Sequence, residues 1–253
     1  DAVRLLIGGP DIGKALARHE GINGVLFTGS ARTGIAINRA PKIVEEFPEG
    51  DLEGKSIPKI LLGNRRYVFG VVAQFFNIAG QVCTWTYIIQ YVQQSLDGSL
   101  KLGAYLLQIS LIIFLVGRFL MTWLIGRVRA TKVMAVLAVA AVGLALFAVV
   151  SPNVLGVAAV VAISFCLSLM FPTIYGIALG GLGDDAKFGA AGLIMAILGG
   201  SVLPPLQAWI IDKGTIGFLP AVNASFILPF ICFIVVCFYG IRTTKIHLAD
   251  VKE

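Results

Sequence analysis

The sequence predicts an all-α membrane protein of six transmembrane helices, preceded by a short α/β fragment. Three observations carry this expectation. Hydrophobic residues make up 57% of the 253 residues and charged residues only 13%, with a mean hydropathy of +0.88; soluble domains carry about 25% charged residues. From Tyr67 to Ile241 the chain is almost free of charge, and Met134 to Gly183 contains no Asp, Glu, Lys, Arg or His. Before Arg66 the composition is that of a soluble protein, with a β-α-β pattern over the first 40 residues.

A bilayer core takes about 20 apolar residues per helix. Six segments meet that length: Tyr67 to Gln94, Leu102 to Gly126, Val133 to Val150, Val154 to Leu182, Phe188 to Ile211 and Ile216 to Ile241. Asp97-Gly98 closes the first, and Ser151-Pro152-Asn153 separates the third from the fourth. The connections are short, so consecutive helices are expected to be antiparallel neighbours. Residues 41–66 form a linker rich in Glu, Pro and Lys, and 242–253 a tail.

Lys and Arg collect on the cytoplasmic side of membrane proteins. Lys55, Lys59, Arg65 and Arg66 precede the first span, Arg127, Arg129 and Lys132 follow the second, and Lys187 follows the fourth. Arg242, Lys245 and Lys252 follow the sixth, and the opposite side has only Lys101 and Lys213. Both termini are therefore expected in the cytoplasm, with the chain multi-pass in a bacterial inner membrane. The net charge of +6 is spent on topology and forms no stripe for nucleic acid. Cys83, Cys166, Cys232 and Cys237 lie inside apolar runs without metal-ligand spacing, so they are expected as small core residues, and neither metal nor cofactor is implied. The N-terminus lacks the short apolar segment of a cleavable signal peptide.

Four residues of the first span, Gln74, Asn77 (or Ile78), Gln81 and Trp85, recur at helical spacing and share one face. Amides facing lipid are costly, so this face looks into protein or a watery cavity. Amides that bond hydroxyls, beside an aromatic that covers an apolar ring face, are sugar-binding chemistry; the alternative is that they join helices. On the fourth span Phe171 and Tyr175 flank Pro172, which frees backbone groups. Arg118 is the one charge well inside a span, a functional candidate or a residue snorkelling from the nearby helix end. Asp184, Asp185 and Lys187 read as a solvated loop, and glycines 176, 180, 181, 183, 189, 192, 199 and 200 as sites of close helix packing.

Ordered stretches over residues 41–245 resemble the C-terminal half of a major facilitator transporter, nearest the L-fucose:proton symporter branch. They are Val72-Ala73-Gln74-Phe75-Phe76 continuing through Ala79-Gly80-Gln81-Val82-Cys83-Thr84-Trp85 to Tyr91, and Gly117-Arg118-Phe119 with Trp123-Leu124-Ile125. Phe171-Pro172-Thr173-Ile174-Tyr175 with Gly180-Gly181-Leu182-Gly183 follows, then Met195-Ala196-Ile197 with Gly199-Gly200 and Pro204-Pro205. The resemblance implies a six-helix half of a twelve-helix fold whose halves clasp a sugar near the midplane. It implies Gln74, Asn77, Gln81, Trp85, Tyr91, Phe171 and Tyr175 as sugar-facing residues, with the bilayer, L-fucose or a related monosaccharide, and protons as partners. The family carries an aromatic, often Tyr, at the Phe171 position, which leaves the sugar open. No Asp or Glu lies in any span, and the resemblance assigns the proton-carrying carboxylates to the other half. Proton-driven transport by this chain alone is therefore not expected; pairing of two copies to mimic a full transporter is left open.

The first 40 residues are similar to another family. Val25-Leu26-Phe27-Thr28-Gly29-Ser30 with Gly34, and Gly8-Gly9-Pro10-Asp11-Ile12-Gly13-Lys14 upstream, resemble the cofactor turn of aldehyde dehydrogenases, nearest the succinylglutamate semialdehyde branch. In that family Gly29 and Ser30 would approach a dinucleotide pyrophosphate; here they and Gly34 are expected to be vestigial. Gly8 to Lys14 also imitates a phosphate-binding loop, but Ala15 stands where Ser or Thr would hold magnesium. Gly80-Gln81-Val82-Cys83-Thr84 resembles the dehydrogenase nucleophile segment, yet it lies in an apolar span without the electropositive setting that makes a thiolate. The expectation is a hybrid reading frame, a dehydrogenase fragment joined near Arg39–Pro41 to a truncated transporter. An NAD-dependent aldehyde dehydrogenase fragment fused to a membrane remnant is the alternative.

Overall fold

The computed structural model describes residues 61–249 except 62, 126, 181, 183–185 and 217–218. The expected β-α-β fragment, its residues Gly29, Ser30 and Gly34, and the linker as far as residue 60 lie outside the described residues, as do Asp184 and Asp185. The helices are α1 (Arg65–Leu96), α2 (Leu100–Ile125), α3 (Ala130–Val150), α4 (Val154–Leu179), α5 (Ala186–Met195), α6 (Gly199–Ile211), α7 (Ala221–Ser225) and α8 (Ile227–Ala249). Six of the described segments are long and apolar enough to cross a membrane, α5–α6 and α7–α8 each counting as one.

Local chemistry sets the helix ends. Asn64 caps α1 by accepting from the backbone N–H of Arg66 (3.0 Å) and Tyr67 (3.2 Å). Asn153 does the same for α4 with Leu155 (3.0 Å) and Gly156 (3.1 Å). Such caps contribute about 1 kcal/mol each. Asp97 ends α1 in the left-handed region at φ 47°, a conformation its short polar side chain tolerates.

Two connections depart from the expected spans. Residues Ala196–Leu198 form a tighter 3-10 turn between α5 and α6, so the fifth span is broken where Gly199 and Gly200 bring it against α1. The sixth span begins at Ala221 instead of Ile216, because Thr215–Ile216 (β1) and Leu219–Pro220 (β2) pair in a small antiparallel hairpin. At the other end α8 continues helically to Ala249, past the 241 boundary expected of the span.

The bundle is not a simple sequence of neighbours. α4 packs against α1, α2 and α3, while α3 packs against α4 and α8. Joined by a short turn, α2 and α3 are nevertheless not packed partners, which corrects the expectation for that pair. Small residues let α4 take the place between them. On α2 the buried residues Gly103, Ser110 and Gly117 recur at intervals of seven, a narrow stripe; Gly117 lies against Phe165 and Ser168 of α4, while Gly103 lies against Ile89 of α1. Much of the rest of α2 is open, with Leu111, Ile112, Leu115, Val116, Phe119 and Leu120 all exposed, while Met121 reaches the main core. The main core lies among α3, α4 and α8, around Met134, Ile163, Leu167, Met170 and Phe233.

The glycine expectation holds at four positions and fails at two. A Cβ on Gly189 would meet Leu182 at 2.7 Å, one on Gly200 would meet Val82 at 2.8 Å, one on Gly192 the Tyr67 hydroxyl and one on Gly199 the Phe75 carbonyl. Gly176 faces open space, and Gly180 meets only carbonyls of its own helix end. Glycines 181 and 183 lie outside the described residues.

Candidate sugar-facing site between the first and fourth spans

Two contacts fix how α1 lies against α4. A Cβ on Gly70 would sit 2.5 Å from the Ala178 Cβ at one end, and at the other the Trp85 indole N–H donates to the Ser164 hydroxyl at 3.1 Å. The helices run antiparallel between these points. On α1, Gly70, Gln74, Asn77, Gln81 and Trp85 follow one another at helical spacing. On α4, Ser164, Phe171, Tyr175 and Ala178 do the same. The amides and aromatics singled out in the two spans therefore lie on apposed faces, with the 74–77 turn opposite the 171–175 turn.

Exposure grades this face. Gln74 and Asn77 are both fully buried, and neither end of either amide has a hydrogen-bond partner among the described residues. Gln81, Trp85, Phe171 and Tyr175 are half-buried. The Phe171 and Tyr175 rings stack with centroids 6.2 Å apart and planes inclined by 12°. Beside them on α4, Pro172, Gly176 and Gly180 are exposed, so the aromatic pair borders an open strip that carries almost no side-chain bulk.

Arg118 joins this site through its neighbours. Its guanidinium carbon stands 5.9 Å from the Phe114 ring centroid, and Phe114 meets Trp85 edge to face at 5.2 Å. The side chain is exposed, on the open face of α2. Asp97 and Asp212, the acids among the described residues, flank the other end of the bundle, so neither neutralises it here.

Tyr91 is not brought to the same face. Its hydroxyl donates to the Ala148 carbonyl at 2.6 Å with the Ser151 carbonyl 3.1 Å away, and its ring packs edge to face on Phe226 at 4.9 Å. That hydroxyl satisfies carbonyls at the C-terminal end of α3. Sequence reasoning also missed the polar pairs at this end, where Asn223 donates to the Ala148 carbonyl (3.2 Å) and Gln207 to Ser225 (3.1 Å). Their apolar flanks gave no periodic signal.

The four cysteines are free, three of them buried and Cys237 half-buried. Cys83 lies in the middle of α1, and a Cβ on nearby Gly80 would touch Phe233 at 2.8 Å and Cys232 at 3.1 Å. No group of three or more His, Cys, Asp or Glu that could hold a metal occurs among the described residues.

Comparison with known proteins gives two relationships. The chain is 39% identical over 213 residues to the L-fucose-proton symporter of Haemophilus influenzae, covering 84% of this chain and 49% of that protein. The crystal structure of the major facilitator superfamily transporter FucP in the outward conformation superposes with a TM-score of 0.67 at 27% identity, covering 74% of this chain and 44% of FucP. The aldehyde dehydrogenase family model matches residues 1–101, and the N-succinylglutamate 5-semialdehyde dehydrogenase of Sphingopyxis alaskensis is 69% identical over 39 residues, 15% of this chain and 8% of that enzyme. The family-model match runs further than the first 40 residues that carry the quoted motifs, and it includes Gly80–Thr84, which here are one stretch of the membrane helix α1. The chain spans about half the length of the transporters it matches. Its helical domain is therefore a FucP-like major facilitator domain, related to the L-fucose:proton symporters and equal to half their fold, preceded and partly overlapped by a segment related to aldehyde dehydrogenases.

Proposed function

We propose that the helical domain takes part in transmembrane transport of a monosaccharide, L-fucose or a close relative, and that this, not aldehyde oxidation, is the activity the chain serves. The observation that carries the reading is the apposition of the Gln74–Asn77–Gln81–Trp85 face of α1 with the Phe171–Tyr175 face of α4. An amide offers both donor and acceptor to a hydroxyl, and an aromatic ring covers the apolar face of a pyranose. Unpartnered buried amides are costly where they stand, and hydroxyls of a bound sugar would satisfy them. The exposed strip at Pro172, Gly176 and Gly180 supplies the approach. Arg118 borders the site through Phe114 and Trp85 and would meet an acidic or hydroxyl partner from outside this bundle. Tyr91 belongs to the helix-end packing in this reading, not to the sugar contacts.

Proton coupling requires a titratable group, and none of the described spans holds an acid. Coupling therefore rests on groups outside the described helices, in a second six-helix half of different sequence, since a paired copy would bring the same acid-free spans. Both termini are assigned to the cytoplasm of a bacterial inner membrane, from the excess of Lys and Arg at the end of the bundle where α1 and α3 begin.

The test is binding of radiolabelled L-fucose to the purified chain in detergent, followed by uptake into proteoliposomes. Saturable binding that falls on Gln81→Leu or Trp85→Leu is the expected result. Absence of saturable binding of any monosaccharide would overturn the site, and NADH formation from an aldehyde, lost in Cys83→Ala, would overturn the choice of activity.

A further inference from the structure

At the end of the bundle where α1 and α3 begin, Arg65, Arg66, Arg127, Arg129, Lys132 and Arg242 are all exposed. No described residue at this end is acidic; Asp97 and Asp212 sit at the opposite end, and Asp184 and Asp185 lie outside the described residues. Four of these cations gather around α8. The Thr244 hydroxyl donates to the Thr131 carbonyl at 3.2 Å, tying α8 to the first turn of α3. Below that tie the helices are close, since a Cβ on Gly240 would lie 3.2 Å from the Ala135 Cα, and Lys132 stands one turn before Ala135. On the other flank the Arg242 guanidinium carbon is 5.7 Å from the Phe69 ring centroid, and Phe69 packs on Tyr239 at 5.3 Å. Arg66 lies one turn before Phe69.

The start of α3 also breaks a local rule. Arg129 occupies its N-cap position without a side-chain cap, and the first turn contains no acid. The positive end of a helix dipole disfavours cations and favours an anion, yet Arg129 and Lys132 are placed there. Arg127 over the Trp123 ring, at 4.1 Å, marks the headgroup depth at which aromatic residues collect. A concentration of like charge at that depth, without an acid among the described residues, is complementary to a negatively charged lipid surface.

We propose that this end of α8, with the first turns of α1 and α3, is a docking surface for the headgroup of an anionic phospholipid, held by Arg66, Arg129, Lys132 and Arg242. The phosphate sits beside the uncapped start of α3, next to Lys132, with Arg242 adding its charge from the other flank of α8, and the acyl chains lie along the apolar outer face of α8.

The experiment is native mass spectrometry of the purified chain in nonionic detergent with equimolar phosphatidylglycerol and phosphatidylcholine. Phosphatidylglycerol is retained in preference by about fivefold or more, the factor expected from a single basic residue near a lipid surface. Lys132→Gln combined with Arg242→Gln removes the preference, while Lys101→Gln combined with Lys213→Gln at the opposite end leaves it. Equal retention of the two lipids by the unaltered chain, or equal loss in both double variants, overturns the proposal. So does displacement of the bound lipid by millimolar inorganic phosphate, which would identify a small-anion site. A second measurement separates docking from folding: Arg129→Asp raises the melting temperature in neutral detergent, by relieving the first turn of α3, and cancels the further rise given by phosphatidylglycerol. A variant that melts lower and still responds to the lipid counts against it.

Discussion

Gln74 and Asn77 bury two complete amides with no protein partner among the described residues. An unsatisfied buried polar group costs about 1–3 kcal/mol, and in a membrane domain the surrounding lipid offers no relief. Leucine at either position is therefore expected to raise stability by about 1–3 kcal/mol, read as a higher melting temperature in detergent, while abolishing sugar binding. Loss of both stability and binding would instead assign the amides to the scaffold. Spacing alone made this face legible in the sequence, because polar residues at intervals of three and four in an apolar helix stand out. Tyr91 was assigned to the same group through family resemblance. Its partners, Ala148 and Ser151, lie on another helix about 60 residues away, and no local pattern announces such a contact.

At the scale of elements, the glycines divide by what stands opposite them. Gly199 lies against the Phe75 backbone carbonyl, which cannot turn aside as a side chain can. Gly199→Ala should destabilise the domain by about 1–3 kcal/mol through overpacking. Gly176 faces nothing within 4 Å, so Gly176→Ala should stabilise α4 by about 0.5–1 kcal/mol through lost backbone freedom in the unfolded chain. Thermal melts of the two variants in the same detergent should move in opposite directions. Both glycines looked alike in the sequence, because packing partners are supplied by other helices. Six apolar runs were legible from composition. The hairpin between α6 and α7 was not, since Ile216, Leu219 and Pro220 read as the apolar start of the next span. The 3-10 turn at Ala196–Leu198 was hidden for a related reason: its residues are as apolar as their neighbours.

Over the whole molecule, the charge asymmetry makes a topological prediction. In right-side-out vesicles, Lys101→Cys and Lys213→Cys should react with an impermeant maleimide and Arg127→Cys should not; the reverse pattern would invert the assigned orientation. The native cysteines give little background, since three are buried and Cys237 is half-buried. The position of α4 between α2 and α3 has a further consequence for synthesis. α3 packs on α4, α7 and α8, all of which leave the ribosome after it, so it enters the bilayer before any of its packing partners exists. A helix that inserts unaccompanied must be carried by its own transfer energy, and α3 has the highest mean hydropathy of the six membrane-length segments. One charged residue at its centre should therefore be borne better at the insertion machinery than the same change in α1, whose packing partners also all follow it and whose mean hydropathy is the lowest of the six.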